Sequence, residues 1–403
     1  MASALFSDLA SRLSLSGVDI DNWTYKCYSR VSVGIFWVAA ACSVASSYTG
    51  SAIECKGGVD SYDKNYCWLH GTKHLTADEI SKDINNGQSC IALDDNPDDK
   101  VTNYYIWVSL VLFLSGAVFA LPNELWKHIE GGMMEQFGED RKKFLEKPEK
   151  GAEIFRKITN NETKRYFFTF VMFEMLNYIV GILVFALTDN FLSGKFSSYG
   201  LDTISYLNGN GKIVEVTGKD GTVSGTVNPM CNLFPTIVNC EFSYYGVNSG
   251  ADTRSAICLM GQNIMNQKIY LVLWIWFVIL FGVSAIMFTY RIVTLALPAF
   301  RRTSLLRHMK TTNSKVVDDL YLDFEHIGNW FLLSQIGQNT NPYTFREFLK
   351  ESKKLEDSNK RYPKNTKFKS ESKSKSDLGN DNGDNQQFEL EQRNNVETAV
   401  LMN

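Results

Sequence analysis

The chain has 403 residues, 44% of them apolar, and sets 41 Lys and Arg against 44 Asp and Glu for a net charge of −3. That balance excludes the basic surplus of a nucleic-acid binder, so no nucleic-acid partner is expected. The mean hydropathy of −0.16 is that of a soluble protein, yet the apolar residues are bunched into four runs with the charges between them, which excludes a single soluble core.

Residues 1–28 come first. Within 2–16 (ASALFSDLASRLSLS), Leu5, Leu9 and Leu13 share one helical face, with Phe6 and Ala10 beside it. This predicts a short amphipathic helix, for which lying on the membrane surface is one reading. A bilayer core of about 30 Å takes roughly 20 apolar residues as helix, and the four runs assign spans to residues 29–48, 104–124, 166–187 and 269–292. Span one is poor in large aliphatics and holds Ser32, Ser43, Ser46 and Ser47. Such residues suit a helix with one face in water and equally suit close helix packing; both readings stand. Mixed charges before it, and no small-residue cleavage site after it, argue against a signal peptide.

Residues 49–103 carry Cys55, Cys67 and Cys90 and the acidic group Asp94, Asp95, Asp98 and Asp99. A solvated acidic loop accounts for that group better than a weak Ca²⁺ site. His70 and His74 are spaced i,i+4 but fall in a loop, and no metal site is expected. Pro122 closes span two, where it removes a helix hydrogen bond; it either terminates the span or kinks it as a gating hinge. Residues 125–165 carry ten Lys and Arg. Glu174 and Asn177 lie three apart in span three, hence on one face at membrane depth. Such groups are costly in lipid and must face protein or water, in a packing or inter-subunit hydrogen bond or in gating.

Residues 188–268 hold Cys231, Cys240 and Cys258. The runs 212–216 and 222–227 flank the turn-forming Thr217-Gly218-Lys219-Asp220-Gly221 and predict a hairpin, the alternative being an unstructured Gly-rich insertion. Residues 293–350 read as helical, with Val317, Leu320, Leu322, Phe324 and Ile327 at helical spacing within 316–333. Residues 351–403 are rich in Lys, Ser, Asn and Asp and read as a disordered tail, with Ser370, Ser372, Ser374 and Ser376 as kinase targets.

Sidedness follows from the charges. Lys and Arg crowd the segment between spans two and three and the stretch after span four, where Arg291, Arg301, Arg302 and Arg307 lie. The positive-inside rule puts both termini and 125–165 in the cytoplasm, and 49–103 and 188–268 outside. Six of the eight cysteines then fall on the oxidising side, three per loop, which reads as a disulfide framework. The glycosylation motifs at Asn22 and Asn161 fall on the other side. No catalytic arrangement stands out, and Asn210-Gly211-Lys212 fails the P-loop pattern. Neither an enzyme nor a cofactor is expected.

Several short motifs occur in a characteristic order. Tyr66-Cys67-Trp68 resembles a YCW motif, Tyr104-Tyr105-Ile106-Trp107-Val108 a YYQWV motif, and Pro122 with Trp126 its P-x-x-x-W continuation. Phe234-Pro235-Thr236 with Cys240 resembles YPT…C. Cys258, Asn263-Ile264 and Asn266-Gln267-Lys268-Ile269-Tyr270 resemble C…N-x-x-NEKIY. Gly328-Asn329-Trp330-Phe331-Leu332-Leu333, continued by Phe345 and Phe348, resembles GDWF-L-L. Together these resemble the innexins, the family that forms gap junctions between invertebrate cells, over roughly residues 15–350. Ile106, Ser109, Lys56 and Asn329 depart from the family's usual residues, and Cys90 and Cys231 are additional to its two cysteines per loop.

The resemblance implies an all-α membrane protein: a four-transmembrane-helix bundle with disulfide-braced extracellular loops of small β content and a helical cytoplasmic domain. The family pattern pairs Cys55 with Cys258 and Cys67 with Cys240, which leaves Cys90 with Cys231. It places Leu5, Phe6, Leu9 and Leu13 at the cytoplasmic pore mouth. It implies a homo-oligomer of eight copies in the plasma membrane, docked with a second hemichannel on the apposed cell. Ions and small molecules would pass between the cells. An undocked hemichannel is the alternative. A four-span adhesion protein of claudin or tetraspanin type fits less well, since the two loops are similarly large and no CCG is present.

Overall fold

The structure, a computed structural model, describes residues 17–49, 52–57, 59–75, 103–138, 143–158, 160–218, 221–245, 251–309, 320–321, 323 and 325–361. Helix α1 begins as Trp23–Lys26, passes through a π-helical stretch at Cys27–Ser32 and continues as Val33–Thr49. It starts six residues before the expected span. Asn22 caps it, its side-chain oxygen accepting from the Tyr25 N–H at 2.9 Å. In the π stretch the Ser29 and Ser32 hydroxyls bond back to the Tyr25 and Cys27 carbonyls at 2.7 and 3.0 Å. A two-residue strand β1 (Glu54–Cys55) and helix α2 (Ser61–His70) follow.

The second span, α3 (Val108–Glu130), continues through Pro122 and ends at Gly131, which adopts the left-handed conformation at φ 61°. Of the two readings of Pro122, termination of the helix there is therefore corrected. One proline forfeits one backbone bond, and burial of Phe119, Ala120 and Trp126 on either side keeps the helix together.

Helix α4 (Pro148–Lys157) leads to the third span, α5 (Asn160–Phe191), of 32 residues. Then come α6 (Phe196–Leu207), the hairpin strands β2 (Ile213–Gly218) and β3 (Gly221–Thr226), the short α7 (Pro229–Leu233), and strands β4 (Ile237–Tyr245) and β5 (Ala251–Leu259). The fourth span, α8 (Gly261–Ala296), has 36 residues, about 54 Å at 1.5 Å per residue. It outruns a bilayer core and carries the chain from the sheet to the opposite end of the bundle. Helices α9 (Pro298–Met309), α10 (Ile327–Asn339) and α11 (Pro342–Arg361) complete that end.

The four long helices each have the length and apolar composition to cross a membrane. Helix α1 packs on α3 and α8, α3 on α5, and α5 on α10. Three apolar cores lie along the bundle. One fills the middle with Phe36, Phe119, Phe196, Phe277 and Leu280. One sits under the sheet with Cys67, Tyr105, Val238, Cys240 and Cys258. One, at the far end, joins Tyr25, Trp126, Phe170, Trp330, Phe331, Phe345 and Phe348.

Two further expectations change. The described residues 320–321, 323 and 325–326 are not helical and α10 begins at Ile327, preceded by a turn in which the Asp323 side chain accepts from the His326 N–H at 3.1 Å; Val317, Leu322 and Phe324 lie outside the described residues. The tail does not begin at 351, because α11 continues to Arg361 with Phe348, Leu349 and Ser352 buried. Its polar composition hid an apolar stripe at i, i+3 and i+4. The elements through Asp357 form one unit; of the second, Ser358–Asn403, the structure describes only the end of α11.

Candidate functional site

At one end of the bundle both long inter-span loops are welded into a single three-stranded antiparallel sheet of order β1-β5-β4. Cys55 lies directly opposite Cys258 in the register, and the two are bridged with Cα atoms 3.9 Å apart. Cys67 on α2 is bridged to Cys240 on β4 across 5.8 Å. The backbone of Lys73 exchanges hydrogen bonds of 2.8 and 2.9 Å with Asn239, and its ammonium meets Glu241 at 2.8 Å. Loop one is thereby held to loop two by two covalent and several polar links. Cys231 is also disulfide-bonded; its expected partner Cys90 lies outside the described residues, as do Asp94, Asp95, Asp98 and Asp99.

The sulfurs of Cys55, Cys67 and Cys258 lie within 4.8 Å of one another. They are neighbours because the two bridges are neighbours, and a sulfur bonded in a disulfide offers no thiolate to a metal. His70 ends α2 stacked on Tyr66 at 4.3 Å, and His74 follows the bridged Lys73.

The motifs that carry the resemblance interlock here. Trp68 packs on Tyr105 at 4.5 Å, and the Tyr105 hydroxyl donates to the Cys67 carbonyl. Asn263 donates to the Pro235 carbonyl at 2.7 Å and Gln267 to the Phe234 carbonyl at 3.0 Å. Tyr199 donates to the Gln267 carbonyl at 2.9 Å. The first turns of α8 are therefore hydrogen-bonded to the strand-entry segment, and the sheet is seated on the helix ends rather than hung from a flexible linker. The hairpin pairs Ile213 with Thr226 through Gly218 with Gly221, close to the predicted runs. Strands β4 and β5 and helices α2 and α6 had no matching expectation.

Within the spans, Glu174 is fully buried. Arg291 on α8 meets it through Nε at 2.5 Å and a second nitrogen at 3.4 Å, and Asn22 donates to the same carboxylate. The guanidinium lies over the Phe170 and Phe331 rings at 5.1 and 5.6 Å. Arg291 was counted with the charges after span four; α8 extends to Ala296 and carries it inside the bundle. A buried acid in an apolar run was the available signal that an opposite charge had to be found on another span. Asn177 donates back to the Phe173 carbonyl at 3.1 Å.

The serines of span one divide. Ser43 accepts from Ser109 at 3.0 Å and from Gln262 at 3.3 Å, and Ser32 accepts from the Trp276 indole at 2.9 Å; these two serve packing. The exposed stripe of α1 is instead Val31, Val38, Ala41, Cys42 and Ala45. Pro122 is buried in α3. Leu5, Phe6, Leu9 and Leu13 lie outside the described residues, as does the Ser47 side chain.

The residues that lead into α1 are anchored. Asn339 accepts from the Asp19 N–H and donates to the Asp19 carbonyl, both at 2.7 Å. Asp19 also pairs with Lys26, and Asp21 with Arg30 at 3.5 Å. Burial pushes the Asp21 carboxyl up, with the Arg30 charge pulling it back. A cleft of about 660 Å³ lies between this segment, the end of α8 and α10.

Comparison with known proteins agrees with this architecture. The sequence profile described as Innexin matches residues 21–354. Innexin inx2 of Drosophila melanogaster is 30% identical over 369 residues, covering 86% of this chain and 94% of that protein. Innexin inx3 of the same fly is 26% identical over 364 residues, covering 87% and 88%. Innexin inx2 of Schistocerca americana is 28% identical over 376 residues, covering 87% and 98%. With the profile covering most of its length, the chain belongs to the innexin family of gap-junction channel subunits.

Proposed function

We propose that eight copies of this chain form a ring around an aqueous conduit in the plasma membrane, and that two such rings dock head to head across the gap between cells. Both termini and the α9–α11 end face the cytoplasm. The sheet end faces outward and meets the opposite ring, and residues 1–16 stand at the cytoplasmic mouth. Ions and small molecules pass by diffusion, without covalent chemistry. Membrane lipids cover the outward faces of the spans.

The observation that carries this reading is the bracing of both loops into one sheet on the ends of the spans. Two rings can seal against each other only if their outer faces hold one shape. Disulfides that close loops of this size remove about 2–5 kcal/mol of freedom each. The crowding of Lys and Arg in 125–165 supports the orientation. The small and apolar stripe Val38, Ala41, Cys42 and Ala45 is exposed among the described residues. Dual voltage clamp of paired cells expressing the protein tests the reading. Junctional current is expected. Current in single cells without junctional current would overturn docking and leave the undocked channel.

A further inference from the structure

Helix α6 (Phe196–Leu207) stands between the third span and the hairpin, and its residues divide into two sets. Phe196, Tyr199, Gly200 and Thr203 are buried, whereas Leu201, Ile204 and Leu207 are 62, 47 and 66% exposed. The other exposed positions are Ser197, Ser198 and Ser205. Its single charged residue, Asp202, pairs with Lys212 at 3.4 Å. The buried set fixes the level at which the helix sits. The Trp274 indole N–H donates to the Ser197 carbonyl at 3.0 Å. A Cβ on Gly200 would stand 2.1 Å from the Trp274 ring, so the helix backbone rests directly on that ring. Phe196 meets Phe185 of α5 at 5.5 Å and Phe277 of α8 at 6.1 Å. Asp189, near the end of α5, accepts from the Ser197 N–H at 2.7 Å. Lys268 is the last charged residue of α8 before its apolar run. Trp274 lies six residues beyond it, about 9 Å along the helix. Near that level the exposed side chains of the spans are themselves apolar: Val272 and Ile275 on α8, and Leu187 on α5. Helix α6 therefore runs beside the membrane-crossing part of the bundle.

We propose that α6 is an interfacial lipid-binding helix, and that Leu201, Ile204 and Leu207 insert among the acyl chains of the outer leaflet just below the headgroups. A helix at that boundary buries its apolar side chains by about 5–10 Å. Three exposed aliphatics at i, i+3 and i+6, with only serines exposed between them, suit acyl chains and offer no ionic group to a protein partner. The ridge also continues the outward apolar surface of α5 and α8, which the bilayer covers. The lipid contact fastens the start of loop two to the membrane, so the loop is held from below by lipid as well as from loop one by its disulfides. Assignment to the outer leaflet rests on the proposed orientation of the chain; insertion into a leaflet does not.

The test uses the full-length protein in phosphatidylcholine nanodiscs. In a Cys42→Ser background, Leu201→Cys, Ile204→Cys and Leu207→Cys each carry a nitroxide. Tyr62→Cys on α2, where the native side chain is 78% exposed, serves as the aqueous reference. At the α6 positions, collision with oxygen is expected to exceed collision with a water-soluble nickel chelate, and the order should reverse at Tyr62→Cys. Nickel dominance on α6 overturns the proposal. Low accessibility to both reagents means that a neighbouring copy covers the ridge, and overturns it as well. The wild-type protein supplies a second measurement that needs no substitution. Phosphatidylcholine with a diazirine on its acyl chain should cross-link to the peptide 196–207; no adduct there, while peptides of the spans are labelled, refutes insertion. The leaflet is decided separately on isolated intact cells, where Tyr62→Cys should react with a membrane-impermeant maleimide. An unreactive Tyr62→Cys would sink the proposed orientation and the outer-leaflet assignment, and would leave the nitroxide result to stand for lipid contact alone.

Discussion

Glu174 is buried inside a membrane span against partners from two distant parts of the chain: Asn22 before α1 and Arg291 on α8, whose guanidinium in turn lies over the Phe170 ring. Removing one member leaves the other charge buried and unpaired, which costs about 3–5 kcal/mol, whereas replacing both charges by apolar residues of similar size recovers much of that loss. Glu174→Ala is therefore expected to lower the melting temperature of the solubilised protein sharply. Glu174→Met with Arg291→Met should melt closer to the wild type, and a double variant as damaged as the single one would show that the pair does not act as a unit. His308 presents the opposite case, outside the spans. Its ring packs beside α10, with Nε2 3.4 Å from the Ser334 hydroxyl, and burial lowers its proton affinity. The unfolded chain takes up that proton near pH 6.5 and the folded chain only below it. Stability from this residue is whole above pH 6.5 and lost as pH falls through the lower folded value. Melting measured as a function of pH should show this decline, and His308→Asn should flatten it.

Between elements, close approach is governed by a few positions where no side chain fits. Gly328 opens α10 against the start of α5. A Cβ there would stand 2.5 Å from the Lys164 nitrogen and from the Thr163 carbonyl carbon, which are backbone atoms that cannot rotate away. Thr163 also donates to Asn329 at 2.7 Å, and Asn329 donates to Asp323 at 2.7 Å, so the contact is polar as well as tight. Gly328→Ala is expected to destabilise by roughly 1–3 kcal/mol or more. Gly282→Ala in α8, where a Cβ meets nothing within 4 Å, should be neutral. Equal melting of the two variants would show that α10 is not seated on α5 as described. The element boundaries were the least legible feature of the sequence. Span four continues past residue 292 to Ala296 and α11 past residue 351 to Arg361. In α11 the buried Phe348, Leu349 and Ser352 extend a helix whose outer face is polar, whereas at the end of α8 the polar Arg291 and Thr294 turn inward and the apolar Ile292 and Leu295 face out.

For the whole molecule, the two cysteines that are free among the described residues report on which face of α1 meets water. Cys27 is buried and Cys42 exposed. If the stripe through Val38 and Cys42 lines the conduit, a charged methanethiosulfonate reagent should reduce the current, and Cys42→Ser should abolish that effect. Current unchanged by the reagent in the wild type would place the stripe against lipid or a neighbouring subunit. Cys27 should stay unmodified in either case while the bundle is folded.

The long apolar runs alone were enough to establish four membrane-crossing helices, because a bilayer demands about 20 such residues wherever it is crossed. The short motifs Tyr66-Cys67-Trp68 and Gly328 to Leu333 were enough to suggest the family. Neither could reveal that Arg291 turns inward to Glu174, that Asn339 reaches back 320 residues to the backbone of Asp19, or that β4 and β5 form a nine-residue ladder from Ile237 to Leu259. Each of those depends on distant segments meeting, and the free energy of a buried charge or a paired strand is set by its partner, which periodicity and composition along one stretch of chain do not contain.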